Sequence, residues 1–414
     1  MSILVLLALG GLTTANYRTC RDVRYPPFIM SALWLLAVAA YYIAPVEIDR
    51  ISILTVLIFL STIIAFSGGG QLAVALFGRD QGDQMVRSTA LSWPSAHPRL
   101  KVIFLTFSAA LLPFTIERAY QIVSQSGSDI FFIGLRSELL AEDSSGYGLL
   151  GYAAVLSFFT TFLYAVESRT GIAERLQSYL SLAISVTHAV LSTGRTTIFF
   201  ILAVLVGIAL MQGRFSLKRL IASAVVFLLS FGFFAFATLK GANPDAPWSE
   251  NMSSIAESLL IYDVGPLPAF DHVVRADEPL GYGENTFIGP LNVSRRLAGK
   301  SRLSPIQEEV DVPFPTNVYT GIQPVYKDFG IIGVILAFAT IGTASTFFYL
   351  KGLSGDPLHI FFYGLTLFPL LFVTFSDQYF APMLTWVMYG LAAYLYFHKN
   401  KVGQFHEKSG TRIS

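Results

Sequence analysis

Charge is what this chain has least of. Only 13% of its 414 residues are Asp, Glu, Lys or Arg, against roughly 25% in an ordinary soluble domain. The ionic surface that a water-facing globule of this length needs is missing. Cysteine is almost missing too: the single Cys20 excludes an intrachain disulfide and any cysteine-built metal cluster. There is no Walker-type phosphate loop, no dinucleotide fingerprint and no HExxH or CxxC spacing, which argues against ATP-driven transport. No cofactor and no nucleic-acid partner are expected. A net charge of +1 decides nothing about an anionic partner until the charges are assigned to a side of a membrane.

What is present is apolar. Hydrophobic residues make up 53% of the chain, with 35 Phe, and they recur in runs long enough for a hydrocarbon core about 30 Å thick. Backbone groups in lipid must pair within their own segment, so these runs predict helices. The expected class is an all-α polytopic membrane protein with about eleven spans. They lie near 2–15, 26–46, 51–77, 101–124, 148–166, 176–192, 196–212, 217–239, 325–350, 357–376 and 380–398. The first lacks a basic leader, so it is expected to be a retained helix and not a cleaved signal. "FSGGGQL" in the third suits close helix packing, with a kink as the alternative. The whole chain, 1–414, reads as one integral membrane domain, with a long loop over 241–324 inside it.

Lys and Arg fix the expected orientation. With the N-terminus outside, the inner links hold Arg18, Arg21, Arg24, Arg79, Arg87, Arg99, Lys101, Arg169 and Arg175, then Arg214, Lys218, Arg219, Lys351 and the C-terminal cluster. The short outer segments hold only Arg50, Arg118, Arg136 and Arg195. Arg195 is the exception that needs a reason: "AVLSTGRTTIFFILAVLVGIALM" carries it between two apolar runs with no acid nearby. It either snorkels to lipid headgroups or answers an anion that the chain itself does not supply.

The loop over 241–324 is the one extended polar region, far longer than an ordinary connection. Ile255, Leu259, Leu260 and Ile261 fall at helical spacing before Gly265-Pro266 and Pro268, which predicts short amphipathic helices, either a cap or a site element. "GYGENTFIGPLNVSRRLAGK" brings Arg295 and Arg296 together; paired guanidinium forks suit a diphosphate, and a solvated basic turn is the plainer reading. "PFPTNVYTGIQPVYKDFGIIGVILAF" then runs into the ninth span, delivering Asn317, Tyr319, Tyr326, Lys327 and Asp328 to the outer surface. Interfacial tyrosines and a snorkelling lysine explain part of that set, and Asp328 near a helix start also suits the helix dipole. Elsewhere, Glu117 and Arg118 point apart on a helix. His188 sits at the outer end of its span, open to substrate or to a neighbouring helix. Asp377 in "TFSDQYFAP" is the one acid of its outer turn.

"LSTGRTTI" between two short spans, then "GYGENTF" in a long outer loop, then "TNVYTGIQPVYKDFGIIG" leading into a helix, resembles the O-antigen and exopolysaccharide repeat-unit polymerases of bacteria, the Wzy type. The resemblance covers architecture across most of the chain and short motifs in its second half. It implies a helical bundle of the glycosyltransferase C-like kind in the inner membrane, with the N-terminus periplasmic, the C-terminus cytoplasmic and a large periplasmic loop. It further implies a metal-independent glycosyltransferase that moves a growing glycan from undecaprenyl diphosphate to a sugar hydroxyl of another lipid-linked repeat unit. A chain-length regulator is an implied partner. Periplasm-facing arginines matter in such proteins, and the matching positions are Arg195 and, less directly, Arg295 or Arg296.

On this reading Arg195 neutralises the departing diphosphate. Asp328 is the first choice of base, with Asp377 and Glu284 behind it, because a carboxylate must reach the hydroxyl it deprotonates. Asn317, Tyr319, Tyr326 and Lys327 are expected to hold sugars. An O-antigen ligase would share the substrate, but Thr316 stands before Asn317 where such ligases usually show a histidine beside an Asn-x-Tyr element. A flippase or transporter of lipid-linked glycan would show charges at mid-membrane, whereas the polar groups here gather on one face.

Overall fold

The computed structural model describes residues 2–44, 48–78, 97–141, 146–167, 171–214, 264–276, 278–304, 307–312 and 314–409, with scattered positions over 216–253. Most of the described chain is helical. Among the described residues six helices are long and apolar enough to cross a membrane: α1 (Ser2–Cys20), α2 (Pro26–Ile43), α3 (Ile53–Phe77), α4 (Pro98–Ser126), the segment Gly148–Val166 that contains α6 (Gly151–Val166), and the long helix Gln323–Leu353. Between α4 and α6 lies α5 (Phe131–Leu140), and after α6 come α7 (Ile172–Leu191) and the apolar α8 (Arg195–Met211). The loop holds α9 (Pro266–Ala276) and α10 (Ile288–Leu297); Gln323–Leu353 is α11, followed by α12 (Pro357–Phe372) and α13 (Met383–Ser409). The only strands among the described residues pair Val310 with Thr316 and Asp311 with Pro315. The protein is an all-α, multi-pass membrane protein.

Ten of the expected spans coincide with helices, and the span near 217–239 and the stretch around Ile255 to Ile261 fall mostly outside the described residues. The ends of the first and last helices differ most from the expected spans, the last running on to Ser409 instead of 398, and one helix was not expected. The first helix continues to Cys20, because its polar residues are satisfied internally: Thr13 and Thr19 donate to the carbonyls of Leu9 and Ala15, and buried Asn16 donates to Ser31, Ser67 and the Pro27 carbonyl. The helix α5, which places Arg136, was hidden by its length of ten residues.

The described residues form two compact units, the first made of Met1–Ser88, Ala256–Ser354 and Leu365–Leu384, the second of Thr89–Ile255, Gly355–Gly364 and Thr385–Ser414. In the first, α3 packs along α11 at glycine contacts. A Cβ on Gly69 would strike the Ala339 carbonyl and one on Gly342 the Phe66 carbonyl, while the Thr343 hydroxyl donates to the Gly69 carbonyl at 3.1 Å. The "SGGG" run is therefore a packing surface. Ser52 caps α3 by accepting from the Thr55 amide, one of the orphan donors of a helix start. The same point anchors the loop: buried Asp271 of α9 accepts from the Ser52 amide at 2.7 Å and the Thr55 hydroxyl at 2.6 Å, and pairs with Arg275. Phe270, beside it, stacks on Phe59 at 5.5 Å and meets Tyr326 edge-on at 5.4 Å.

In the second unit, α4 and α6 are joined by a buried ion pair, Lys101 to Glu167 at 2.6 Å. Tyr396 of α13 donates to the other Glu167 oxygen at 2.8 Å, and the Lys101 ammonium lies 4.5 Å from the centre of the Tyr164 ring.

Candidate functional site

The first unit builds a clasp. Gly330 has φ 61 and ψ −160, a backbone conformation open essentially to glycine alone, and it separates a short turn over 323–329 from the apolar run of 331–353. Asp328 sits just before that break and is fully buried. Its Oδ1 accepts from the Asn285 side-chain amide at 2.8 Å and its Oδ2 from the backbone N–H of Thr286 at 2.6 Å, with the Asn285 N–H shared between them. All of these are donors, the partner set of an ionised carboxylate. Backbone bonds from Gly281 to the Lys327 carbonyl and from Tyr282 to the Asp328 carbonyl complete the clasp. Gly281 is required here, since a Cβ would lie 2.6 Å from Asp328 Oδ1.

Around the clasp the expected residues separate. Glu284 lies on the clasping turn and is exposed, as is Asn317. Lys327 pairs with Glu278 at 3.3 Å. Tyr326 is half-buried against Phe270. Tyr319 turns inward: its hydroxyl donates to the Glu308 carbonyl at 2.9 Å, and burial, with Glu308 and Glu278 nearby, pushes its pKa up to about 12. It braces the loop. Arg296 is exposed, and Arg295 donates from Nε to the Ser301 carbonyl at 2.7 Å, closing its own helix end.

Asp377 belongs to the same unit, in the turn between α12 and α13. Gly321 ties the segment before Asp328 to that turn, its N–H donating to the Val373 carbonyl at 2.7 Å. Gly289, just past the clasp, abuts the Ala381 carbonyl and Leu384. Asp377 is half-buried and accepts from the backbone N–H groups of Tyr379, Phe380 and Ala381. Burial outweighs these bonds and pushes its carboxyl up to about 6. The hydroxyl of Tyr379 is buried with no hydrogen-bond partner among the described residues, and burial beside Asp377 raises its pKa well above the ordinary value.

The second unit builds an arginine-rich turn. Thr193 has φ 52, a left-handed conformation uncommon outside glycine, and Arg195 follows it as the first residue of α8. Arg136 donates to the Thr193 carbonyl at 3.0 Å, Tyr147 to the Leu191 carbonyl at 2.7 Å, and Arg118 to the Gly146 carbonyl at 3.2 Å. Two of the four arginines that the charge count placed outside, Arg136 and Arg195, thus meet at one turn, and a third, Arg118, holds the carbonyl of Gly146 next to Tyr147, which bonds that turn. Arg136 makes no ion pair among the described residues. His188, one turn earlier, is buried, and its Nε2 has no partner among the described residues.

Sequence reasoning missed Asn285, Thr286, Gly281, Arg136 and Tyr147. The first three were signalled only by a turn-rich string, Arg136 only by the charge count and Tyr147 by nothing local, because the partners of these two lie 57 and 44 residues away. No group of three His, Cys, Asp or Glu side chains suited to a metal occurs among the described residues. No protein-family model, curated protein or solved structure matches this chain.

Proposed function

We propose that this chain is a glycosyltransferase of the O-antigen and exopolysaccharide polymerase type. It joins undecaprenyl-diphosphate-linked oligosaccharide repeat units at the periplasmic face of the bacterial inner membrane, through an eleven-span bundle with its N-terminus outside. The observation that carries the reading is the clasp: "GYGENT" and "YKDFG", two strings behind the resemblance, are bonded to each other through Asp328. That two distant motifs share one hydrogen-bonded structure supports reading them as one site.

The reaction needs a proton acceptor and charge for the leaving group. The acceptor hydroxyl attacks the anomeric carbon of the donor sugar; the bond to the diphosphate oxygen breaks, and the hydroxyl proton passes to a carboxylate. Asp328 is saturated with donors and closed to water, so in this reading it holds the sugar-facing turn in place. Asp377 is the better acceptor, being only partly buried and raised toward neutrality, where a general base works best. Arg195 and Arg136 supply cations for the diphosphate; oriented charge of this kind commonly contributes the largest part of catalysis. No metal is needed for this route.

The test is reconstitution. Purified chain in proteoliposomes, given its cognate lipid-linked repeat unit, is expected to produce a ladder of lengthening glycans. Transfer of one finished block to a lipid core without a ladder would make it a ligase, and movement of the lipid-linked unit across the bilayer without new glycosidic bonds would make it a transporter.

A further inference from the structure

The helix α10 is unlike the others in burying none of its residues. Val293 and Leu297 are one turn apart on the same side and are 47% and 85% exposed, and Phe287 just before the helix is 41% exposed. Arg295 and Arg296 in its last turn are followed by Lys300 and Arg302, with no acid anywhere from Asn285 to Ser304. An uncovered apolar stripe bordered by unopposed cations is the pattern of a helix that lies in a membrane interface.

The clasp sets its depth. Thr286 is bonded to Asp328, and Phe287 follows it directly, its ring 6.4 Å from that of Phe329. Phe329 and, past the Gly330 break, Ile332 are themselves exposed, and Leu280 joins them beside Gly330. On the other side Gly289 meets Leu384 at the start of α13. The first turn of α10 is therefore pinned where two apolar helices begin, at the level where their lipid-facing side chains first appear. An aromatic pair at that level suits the headgroup boundary.

We infer that α10 is a membrane-surface helix: Phe287, Val293 and Leu297 enter the acyl boundary, and Arg296, Lys300 and Arg302 bind the phosphates of anionic phospholipids. This assigns the basic cluster to the bilayer and not to the diphosphate of a substrate, and it holds whether or not the chain is a glycosyltransferase. Attraction of this type depends on lipid charge and weakens with salt.

The test uses the full chain in nanodiscs, with Cys20→Ser and Leu297→Cys carrying a polarity-sensitive fluorophore. In discs containing phosphatidylglycerol the emission is expected to shift to shorter wavelength and to be quenched by spin-labelled lipid. The shift should shrink in phosphatidylcholine alone, at high salt, and in an added Arg296→Gln/Lys300→Gln/Arg302→Gln variant. Arg295 is left intact because it holds the Ser301 carbonyl. Water-like emission in both kinds of disc would overturn the inference, as would a full phosphatidylglycerol effect in the charge variant. A shift produced by soluble inorganic diphosphate in phosphatidylcholine discs would assign the cations to a soluble oxyanion and overturn it as well.

Discussion

Arg136 reaches across from α5 to hold the carbonyl of Thr193, 3.0 Å away, two residues before Arg195. One arginine thereby fixes the backbone that aims another. Loss of a charged hydrogen bond of this kind typically costs about 1.5–3 kcal/mol, so Arg136→Gln should lower the melting temperature. Arg195→Ala should abolish long glycan while leaving membrane insertion intact. Arg136→Lys keeps the charge but not the planar fork, and should restore only part of the activity. Normal chain-length distributions in Arg195→Ala would remove that residue from the reaction.

The clasp makes a second prediction. Asp328→Ala leaves the amides of Asn285 and Thr286 without their acceptor, at a cost of about 1–3 kcal/mol for each donor left buried and unsatisfied. Hydrogen exchange should rise at 281–286 and stay unchanged in α4 and α6. Gly281→Ala should reproduce that local opening, since its Cβ would lie 2.6 Å from Asp328 Oδ1. Unchanged exchange in both variants would show that the clasp does not hold the turn.

The glycine seam between α3 and α11 predicts a sharp positional contrast. A Cβ on Gly68 meets nothing within 4 Å, whereas one on Gly342 collides with the Phe66 carbonyl. Gly68→Ala should be neutral and Gly342→Val should destabilise by about 1–3 kcal/mol or more, the usual cost of overpacking. Equal detergent stability of the two variants would refute the close crossing.

The ion pair of Lys101 and Glu167 has side chains 3% and 1% exposed. Removing one partner of such a pair costs about 3–5 kcal/mol, while replacing both with apolar residues is often far milder. Lys101→Met should therefore lower stability more than Lys101→Met/Glu167→Leu. A double variant that is worse than the single would mean that Tyr396, which also bonds Glu167, depends on the carboxylate more than Lys101 does.

Much of this architecture is legible in one sequence because lipid leaves the chain few choices: scarce charge and long apolar runs already dictate helices, and ten of them stand where the runs predict. The candidate site was less legible. Asp328 and Asp377 could be named from their local strings, but their surroundings could not, since the donors to Asp328 come from 42 and 43 residues away. Tyr319 shows the limit in the opposite sense. A tyrosine beside Asn317 reads as a sugar platform, and only the fold reveals that its hydroxyl points back to the Glu308 carbonyl. Arg136 was visible only as an exception to the charge count, which is a statement about sides of a membrane and not about neighbours.

Asp377 supplies a prediction in pH. Its carboxyl is raised from 3.8 to about 6, so if it accepts the acceptor hydroxyl's proton, turnover should climb about tenfold per pH unit below about 6 and level off above it. Asp377→Asn should remove that limb along with most of the activity. Stability should move the other way. A group whose pKa is higher folded than unfolded favours the fold while protonated, and that contribution is lost as pH rises from about 4 through about 6. Wild type should thus lose stability relative to Asp377→Asn across that window, because only wild type acquires a charge that its surroundings solvate poorly. A stability difference that stays flat from about pH 4 to about pH 7 would return the carboxyl to its ordinary range, and the turnover limb near 6 would then belong to another group.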